Sequence, residues 1–356
     1  DYIYFATPYP LLRVRADVES LKDLGSYEAF TCLQEGTRPE QHQIVRPRPD
    51  RNARYSWTKN TSPVGPKEQV ALIAARELKP EESLLQLQDP ETGKPVYAHS
   101  GSVYWNQHRR RWIMITVEAG GTSPLGEVRY AEADAPVGPW VYARKIATHD
   151  RYSFYNPKQD PMFDKDDGRV IFFEGTYSNS FSGNPNPTPR YDYNQIMYKL
   201  DLADPRLVLP VPIYRVSAAA DQYVAGYRFK NHLTSAAIAF FAPDRPAPSL
   251  IPIYEQTDEH GQRSLRAGAA SAGPRDAGDG TAKPELIFYA LAADAANPPR
   301  TTTPLYEFIS TDGVKRGYST DMNWTQSGYH RQEKPLCRVW RNPIPALNVE
   351  FETPGP

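Results

Sequence analysis

Cysteine is almost absent from this chain, which has 356 residues and only two cysteines, Cys32 and Cys337. Two cysteines can build neither a cysteine-rich metal centre nor the dense disulfide framework of a small secreted domain. They lie near opposite ends of the sequence. We expect two free, buried thiols, and the alternative is one bridge between the first and last parts of the fold.

Long apolar runs and an excess of charge of one sign are missing as well. No segment approaches the ~20 apolar residues that a membrane-spanning helix needs, so no membrane span is predicted. The 41 basic and 42 acidic residues give a net charge of −1. The short basic run Arg109-Arg110-Arg111 is typical of a solvated hairpin turn. Because no basic stretch dominates, a nucleic-acid partner is not expected.

Proline and tyrosine are abundant instead. The chain has 35 prolines against 22 glycines, and 23 tyrosines. Proline is excluded from helix interiors and central strands, so this number predicts many short elements joined by turns. Tyrosine favours pleated, half-buried surfaces, and Asp167-Gly168 supplies the positive φ angles of a tight hairpin. The sequence therefore predicts an all-β fold.

One segment breaks the β pattern. The run Pro66–Leu78 is rich in helix formers and has proline at its first position, where a helix tolerates it. We predict a helix of about three turns here, within an insertion over residues 66–88 between the first and second β units.

A repeat sets the expected architecture. Pro212-Ile213-Tyr214, Pro252-Ile253-Tyr254 and Pro304-Leu305-Tyr306 recur 40 and then 52 residues apart. A period of about 40 to 50 residues with several short strands is typical of a propeller blade. We predict a single five-bladed β-propeller domain over residues 1–356, with blades at about 1–60, 97–150, 154–216, 223–256 and 285–341. A β-sandwich, or a propeller followed by a smaller β-domain, is the alternative.

Two of these units resemble blades of the five-bladed glycosidase superfamily, which includes arabinanases, β-xylosidases and fructan-processing enzymes. The second unit has a strand, a basic turn and a strand, and it closes with Gly138-Pro139-Trp140, a turn that is expected to bury the indole of Trp140 under the blade. The third unit reads DPMFDKDDGRVIFF over Asp160–Phe173 and continues with Glu174-Gly175. Tyr152–Pro157 and Pro189–Gln195 also resemble phrases of a group of uncharacterised bacterial propeller proteins.

The resemblance implies a pair of catalytic carboxyl groups. Asp160 would end an innermost strand and point into the central channel, and Glu174 would present a general acid. Glycoside hydrolysis needs two carboxyl groups across the sugar ring, so we predict Asp160 and Glu174 as that pair, with Glu118 and Asp192 in reserve. The related enzymes place a base Asp on the first strand of the first blade. This sequence begins inside that blade, so we expect a missing N-terminus and a base that is cut off, replaced or supplied elsewhere.

Candidate binding residues cluster around the third unit. Aromatic planes stack on the apolar faces of sugar rings, and a guanidinium fork holds pairs of hydroxyl or carboxylate oxygens. The predicted substrate-binding residues are His99, Tyr155, Tyr177, Arg190, Tyr191 and Asp192. Core packing is the alternative role for about half of the aromatic side chains.

No metal or cofactor is predicted. None of the seven histidines has metal-ligand spacing, and a zinc site is not expected. Some propellers of the superfamily hold a central calcium ion, which the resemblance allows although no residue pattern here supports it.

The predicted function is hydrolysis of a poly- or oligosaccharide, in a secreted or periplasmic location. The alternative is a carbohydrate-binding propeller without turnover, either a lectin or a surface scaffold, because repeated units can present repeated sites. Two carboxyl groups in one funnel would favour the enzyme. Several equivalent shallow aromatic pockets would favour the binding protein.

Overall fold

The computed structural model describes residues 1–5, 7–180, 182–186, 192–217, 222–226, 237–268 and 284–350. Across these residues the chain forms strands and only two short α-helices, α1 (Val18–Lys22) and α2 (Pro66–Ala74). The all-β prediction is confirmed. The strands are β1 (Tyr2–Phe5), β2 (Leu12–Arg15), β3 (Glu28–Thr31), β4 (Arg54–Lys59), β5 (Leu85–Gln88), β6 (Ala98–Asn106), β7 (Arg111–Glu118), β8 (Glu127–Ala133), β9 (Trp140–Thr148), β10 (Ser153–Gln159), β11 (Val170–Ser178), β12 (Asn194–Asp201), β13 (Val211–Ser217), β14 (Gln222–Ala225), β15 (Ala237–Ala242), β16 (Leu250–Thr257), β17 (Arg263–Ala267), β18 (Glu285–Leu291), β19 (Thr302–Ser310), β20 (Arg316–Ser319), β21 (Tyr329–Arg331), β22 (Cys337–Trp340) and β23 (Asn348–Val349).

The chain divides into two compact units. The first comprises Asp1–Asp89, Lys94–Ala203 and the segment that begins at Pro343, and the second comprises Pro90–Gly93 and Asp204–Asn342. The first unit holds both α-helices and three sheets, with strand orders β1-β2-β3-β4-β23, β5-β9-β8-β7-β6 and β10-β11-β12. The second unit holds a ten-stranded sheet. Seven of its strands have the order β14-β13-β15-β22-β18-β16-β17, and β19 pairs with β22 and also with β20 and β21.

Strand pairing sets the limits of the sheets. The third sheet ends with β12 at Asp201, because β13 pairs with β14 and β15 instead. The strands of the last two predicted blades belong to one hydrogen-bonded sheet. In it β22 pairs with β19 over four residue pairs and with β15 and β18 through one pair each.

The predicted helical insertion is helical only at its start. α2 begins at Pro66 as expected and ends at Ala74, and Arg76 has a positive φ of 63° that stops the helix. The remaining residues form a 3-10 turn at Pro80–Glu82 and then β5, which runs parallel to β9. The helix predicted over Pro66–Leu78 therefore ends four residues early, at Ala74, because the chain turns at Arg76.

Local turn and burial signals of the sequence hold in the structure. Asp166, Asp167 and Gly168 all have positive φ angles in the turn before β11, as the Asp-Gly step predicts. Trp140 of the Gly-Pro-Trp motif is fully buried in the core of the first unit. The two cysteines are free and buried, as expected.

The basic run contradicts the prediction of a solvated turn. Arg111 is 0% exposed and forms an ion pair with Asp134. Arg109 donates two hydrogen bonds to Glu132, at 3.0 and 2.9 Å, and its side chain is 9% exposed. The turn itself is present between β6 and β7, but the two arginines lie against carboxylates of β8 and the residue that follows it. Buried charges are stable only when paired in this way.

No helix among the described residues has the length and apolar character needed to cross a membrane.

Candidate functional site

The predicted catalytic residues lie on the three-stranded sheet of β10, β11 and β12. In the antiparallel register, Lys158 of β10 lies opposite Glu174 of β11, and Glu174 lies opposite Met197 of β12. Side chains of paired residues point to the same side of a sheet, and successive residues alternate between sides. The sheet therefore has two chemically different faces.

The first face, called the open face below, is partly exposed. Every second residue of β12 from Gln195 onward is exposed on it, whereas the residues between them are half-buried. Its residues are Tyr155, Lys158, Asp160, Phe172, Glu174, Thr176, Gln195, Met197 and Lys199. The opposite face, called the aromatic face below, carries Phe154, Phe173, Gly175, Tyr177 and Tyr198.

A β-bulge gives the open face its composition. The register of β10 advances by three residues from Tyr155 to Lys158 while that of β11 advances by two, from Thr176 to Glu174. The extra residue is accommodated by Asn156, whose φ is 54°. Bulges of this kind re-aim side chains. The bulge keeps Tyr155 and Lys158 on one face although they are three residues apart.

Asp160 and Glu174 are brought together on the open face. Asp160 directly follows β10, and its backbone N–H donates to Phe172 O at 2.9 Å. Burial raises the pKa of the Asp160 carboxyl, the charge of Glu174 raises it further, and Lys158 acts in the opposite direction. The Asp160 Oδ2 atom is buried, and among the described residues it has no hydrogen-bond partner. The Asp160 carboxyl group therefore stays protonated to a higher pH than an ordinary aspartate does.

A second aspartate, Asp164, lies close enough to Asp160 to interact with its charge. Asp164 accepts a hydrogen bond from Gln159 Nε2 at 3.0 Å, and Gln159 is 1% exposed. Burial raises the pKa of Asp164, the hydrogen bond from Gln159 opposes this shift, and the charge of Asp160 adds to it. Asp164 is not among the site residues predicted from the sequence. Its contact with a buried glutamine is a feature that sequence reasoning missed.

Tyr155 is the predicted binding residue that lies on the open face together with the carboxyl pair. Its ring centroid lies 6.5 Å from that of Tyr193, at 60° between the planes. A hydrogen bond with Tyr193 is the main reason that the pKa of Tyr155 is raised. Tyr193 is 69% exposed. The two rings form an accessible aromatic pair on the same sheet as Asp160 and Glu174.

Tyr177 lies on the aromatic face instead. It stacks on Tyr152 with 4.4 Å between ring centroids and 5° between planes, and its edge meets His149 at 5.8 Å. Tyr177 is three residues from Glu174, and an odd separation in a strand places two side chains on opposite faces. The alternation of side chains along a strand would therefore have predicted, from the sequence alone, that Tyr177 and Glu174 lie on opposite faces.

The other predicted binding residues that the structure describes, His99 and Asp192, do not belong to the strands that carry the open face. His99 is exposed in β6, at an irregular step of the register with β7. Asp192 is exposed, and its Oδ1 accepts from the Asn179 backbone N–H at 2.7 Å. Arg190 and Tyr191 lie outside the described residues. The reserve residue Glu118 accepts a hydrogen bond from Arg129 Nε at 2.8 Å, which is a structural role.

The centre of the aromatic face is His149, which the sequence did not single out for this role. Its ring stacks on Phe154 at 4.3 Å and 7°. Nδ1 lies 2.8 Å from Gly126 O and Nε2 lies 2.9 Å from the Tyr198 hydroxyl. Because a carbonyl oxygen only accepts, Nδ1 carries the proton and Nε2 accepts from Tyr198. Burial lowers the pKa of His149, so the ring is neutral at pH 7.

Comparison with known proteins gives no independent assignment. No protein-family model matches this chain, and no curated protein matches its sequence. A carboxyl group that keeps its proton, placed beside a second carboxyl group, can protonate a leaving oxygen while the partner acts on the other reactant.

Proposed function

We propose that this chain is a glycoside hydrolase that cleaves a poly- or oligosaccharide at the open face. The observation that carries the proposal is the position of Asp160, directly after β10, close enough to Glu174 of β11 for the charge of Glu174 to raise the pKa of Asp160. Paired carboxyl groups with separated protonation are the chemical requirement of glycoside hydrolysis. Tyr155 and Tyr193 would supply ring surfaces for a sugar.

The roles within the pair follow from the electrostatics. The resemblance to propeller glycosidases implies Glu174 as general acid. The raised pKa of Asp160 favours Asp160 as the acid instead, because a general acid must carry a proton at working pH. Glu174 is its partner on the same face, opposite the exposed Lys158. Glu174 is therefore proposed as the base or nucleophile.

A five-bladed propeller is proposed as the architecture that would hold this site. The support is the sequential antiparallel pairing within β1–β4, β6–β9 and β10–β12, together with the 40- to 52-residue recurrence of the Pro-Ile/Leu-Tyr motif. In such an arrangement the end of β10, where Asp160 lies, would face the central funnel.

A carbohydrate-binding protein without turnover is the second candidate. The exposure of Tyr193 and Met197 favours it, at 69% and 45%, because an accessible sheet surface can hold a glycan without enclosing a scissile bond. Both candidates use the same face, so the decisive experiment must separate binding from bond cleavage.

The test is product release from a panel of plant and microbial polysaccharides. Wild-type protein is compared with Asp160→Asn and Glu174→Gln, which keep side-chain size, and with Asp166→Asn, an exposed aspartate of the turn before β11, as the matched control. We expect release by the wild type and the control, and loss of release in both site variants. Glycan binding without any release, retained in both site variants, would instead establish the binding protein.

A further inference from the structure

A second candidate site lies in the first unit, away from the open face. A cleft of about 430 Å³ is formed where the segment between β1 and β2, the start of the 3-10 turn after Arg38 and the start of α2 meet. Its volume falls within the range of small-molecule sites, roughly 300 to 1,000 Å³. None of the residues that line it belongs to β10, β11 or β12. The cleft therefore has its own chemistry, which does not depend on Asp160 or Glu174.

Tyr9 supplies a phenolic hydroxyl to this cleft. Its side chain lines the cleft and is 6% exposed, and its hydroxyl has no hydrogen-bond partner among the described residues. Burial raises the pKa of the phenol, so the hydroxyl stays protonated and can both donate and accept. A ligand hydroxyl that enters the cleft can therefore form a hydrogen bond with it.

Three charged side chains surround the same space. Arg38 Nη1 lies 3.3 Å from the Ser62 hydroxyl, and within the described part of the chain Arg38 has no carboxylate partner. Glu40 and Glu68 also line the cleft, and neither forms an ion pair with a described residue. The Glu68 carboxylate lies against Gly65, the N-cap residue of α2, since a Cβ placed on Gly65 would be 2.9 Å from Glu68 Oε2.

These charges select against ionic ligands. An anion that reached Arg38 would lie close to two carboxylates, and the position at the start of α2 that attracts anions already holds Glu68. A cation that reached the carboxylates would meet Arg38. A neutral molecule with many hydroxyl groups can donate to Glu40 and Glu68 and accept from Arg38, so it avoids both repulsions. The rings of Pro39 and Pro63 provide apolar walls for its carbon skeleton.

We propose that this cleft binds a neutral, hydroxyl-rich small molecule of monosaccharide size, with Tyr9, Arg38 and Glu68 as its polar contacts. The site is separate from the open face and does not require turnover there.

The experiment is ligand-observed NMR on the full chain with D-glucose, D-galactose, D-xylose and L-arabinose, and with glucuronate and putrescine as charged probes. We expect saturable binding of at least one neutral sugar. Tyr9→Phe removes one hydroxyl and should weaken that binding roughly two- to tenfold, the equivalent of one neutral hydrogen bond. Arg38→Gln should weaken it at least as much.

Matched variants separate this cleft from the open face. Arg15→Gln, whose side chain is 71% exposed, and the pair Asp160→Asn and Glu174→Gln should leave the sugar affinity unchanged. Binding that is lost in the open-face variants but retained in Tyr9→Phe and Arg38→Gln would overturn the cleft proposal and leave the proposed hydrolase standing. Binding of charged probes only, or of no probe, would also overturn it. Retained melting temperature in Tyr9→Phe would show that any loss of affinity is not loss of fold.

Discussion

The two faces of the sheet formed by β10, β11 and β12 are made of the same three strands but differ in exposure and in residue type. On the aromatic face, Phe154, Phe173 and His149 are each at most 6% exposed and pack ring against ring. On the open face, Lys158 and Met197 reach solvent on either side of Glu174. The comparison shows how one buried face can fix backbone positions so that the other can present carboxyl groups to a ligand.

The largest expected effect comes from truncating the aromatic face. Phe173 stacks on Tyr198 with 5.3 Å between ring centroids and is 2% exposed. Phe173→Ala should lower the free energy of unfolding by about 3–5 kcal/mol, because it removes a buried ring and leaves a cavity. Urea unfolding measures the change. Tyr193→Ala, on the open side, is the matched control and should change it by less than about 0.5 kcal/mol. Equal losses in the two variants would mean that the faces are not distinct.

A smaller loss of stability is expected when a methyl group is added to the aromatic face. Gly175 lies beneath Phe154, and a Cβ on Gly175 would be 2.6 Å from Phe154 Cε1. Gly175→Ala should therefore destabilise the fold by about 1–3 kcal/mol through overpacking. The double variant Gly175→Ala with Phe154→Leu should cost less than the sum of the two single changes, since the smaller side chain gives room for the methyl group. Additive losses would contradict the contact. The Glu-Gly pair noted in the sequence thus has a packing reason for its glycine.

The next effect is a pH dependence from His149. Its pKa is lowered in the fold, so between the unfolded value near 6.5 and the lower folded value the unfolded chain binds more protons. Stability is then fully present above about pH 6.5 and falls as the pH decreases, by at most about 1.4 kcal/mol per pH unit. Urea unfolding from pH 8 to pH 5 tests this. His149→Gln should flatten the dependence, whereas His260→Gln, an exposed histidine, should leave it unchanged.

Patterns that span a few residues were predictable from the sequence. The start of α2 at Pro66, the turn at Asp167-Gly168 and the burial of Trp140 each depend on one residue's backbone preference or apolar area. The all-β class followed from many such local signals added together. These features are insensitive to which distant segment packs against them.

Features fixed by distant partners were not predictable. β5 is a strand because it pairs with β9, and Arg111 is buried because Asp134 lies beside it. The partners of His149 are 23 and 49 residues away along the chain. The same limit applies to the site. The motif placed Asp160 and Glu174 together, but only the register revealed that Lys158 lies opposite Glu174 and that Tyr177 lies on the other face.

The smallest effect, and the most direct measure of the open face, is the titration of Asp160. Its pKa is raised by burial and by Glu174 and lowered by Lys158, so the carboxyl carbon signal in ¹³C NMR should titrate above the usual aspartate value of about 3.9. Glu174→Gln should move the midpoint down and Lys158→Met should move it up, because each removes one of the two charges. The folded chain binds this proton more tightly than the unfolded chain, so stability falls as the pH rises through the window, and Asp160→Asn should stabilise the protein at pH 7 but not below pH of about 3.9. Midpoints that are insensitive to both charge changes would show that Asp160 and Glu174 do not act as a pair, and the proposed division into acid and carboxylate would then be wrong.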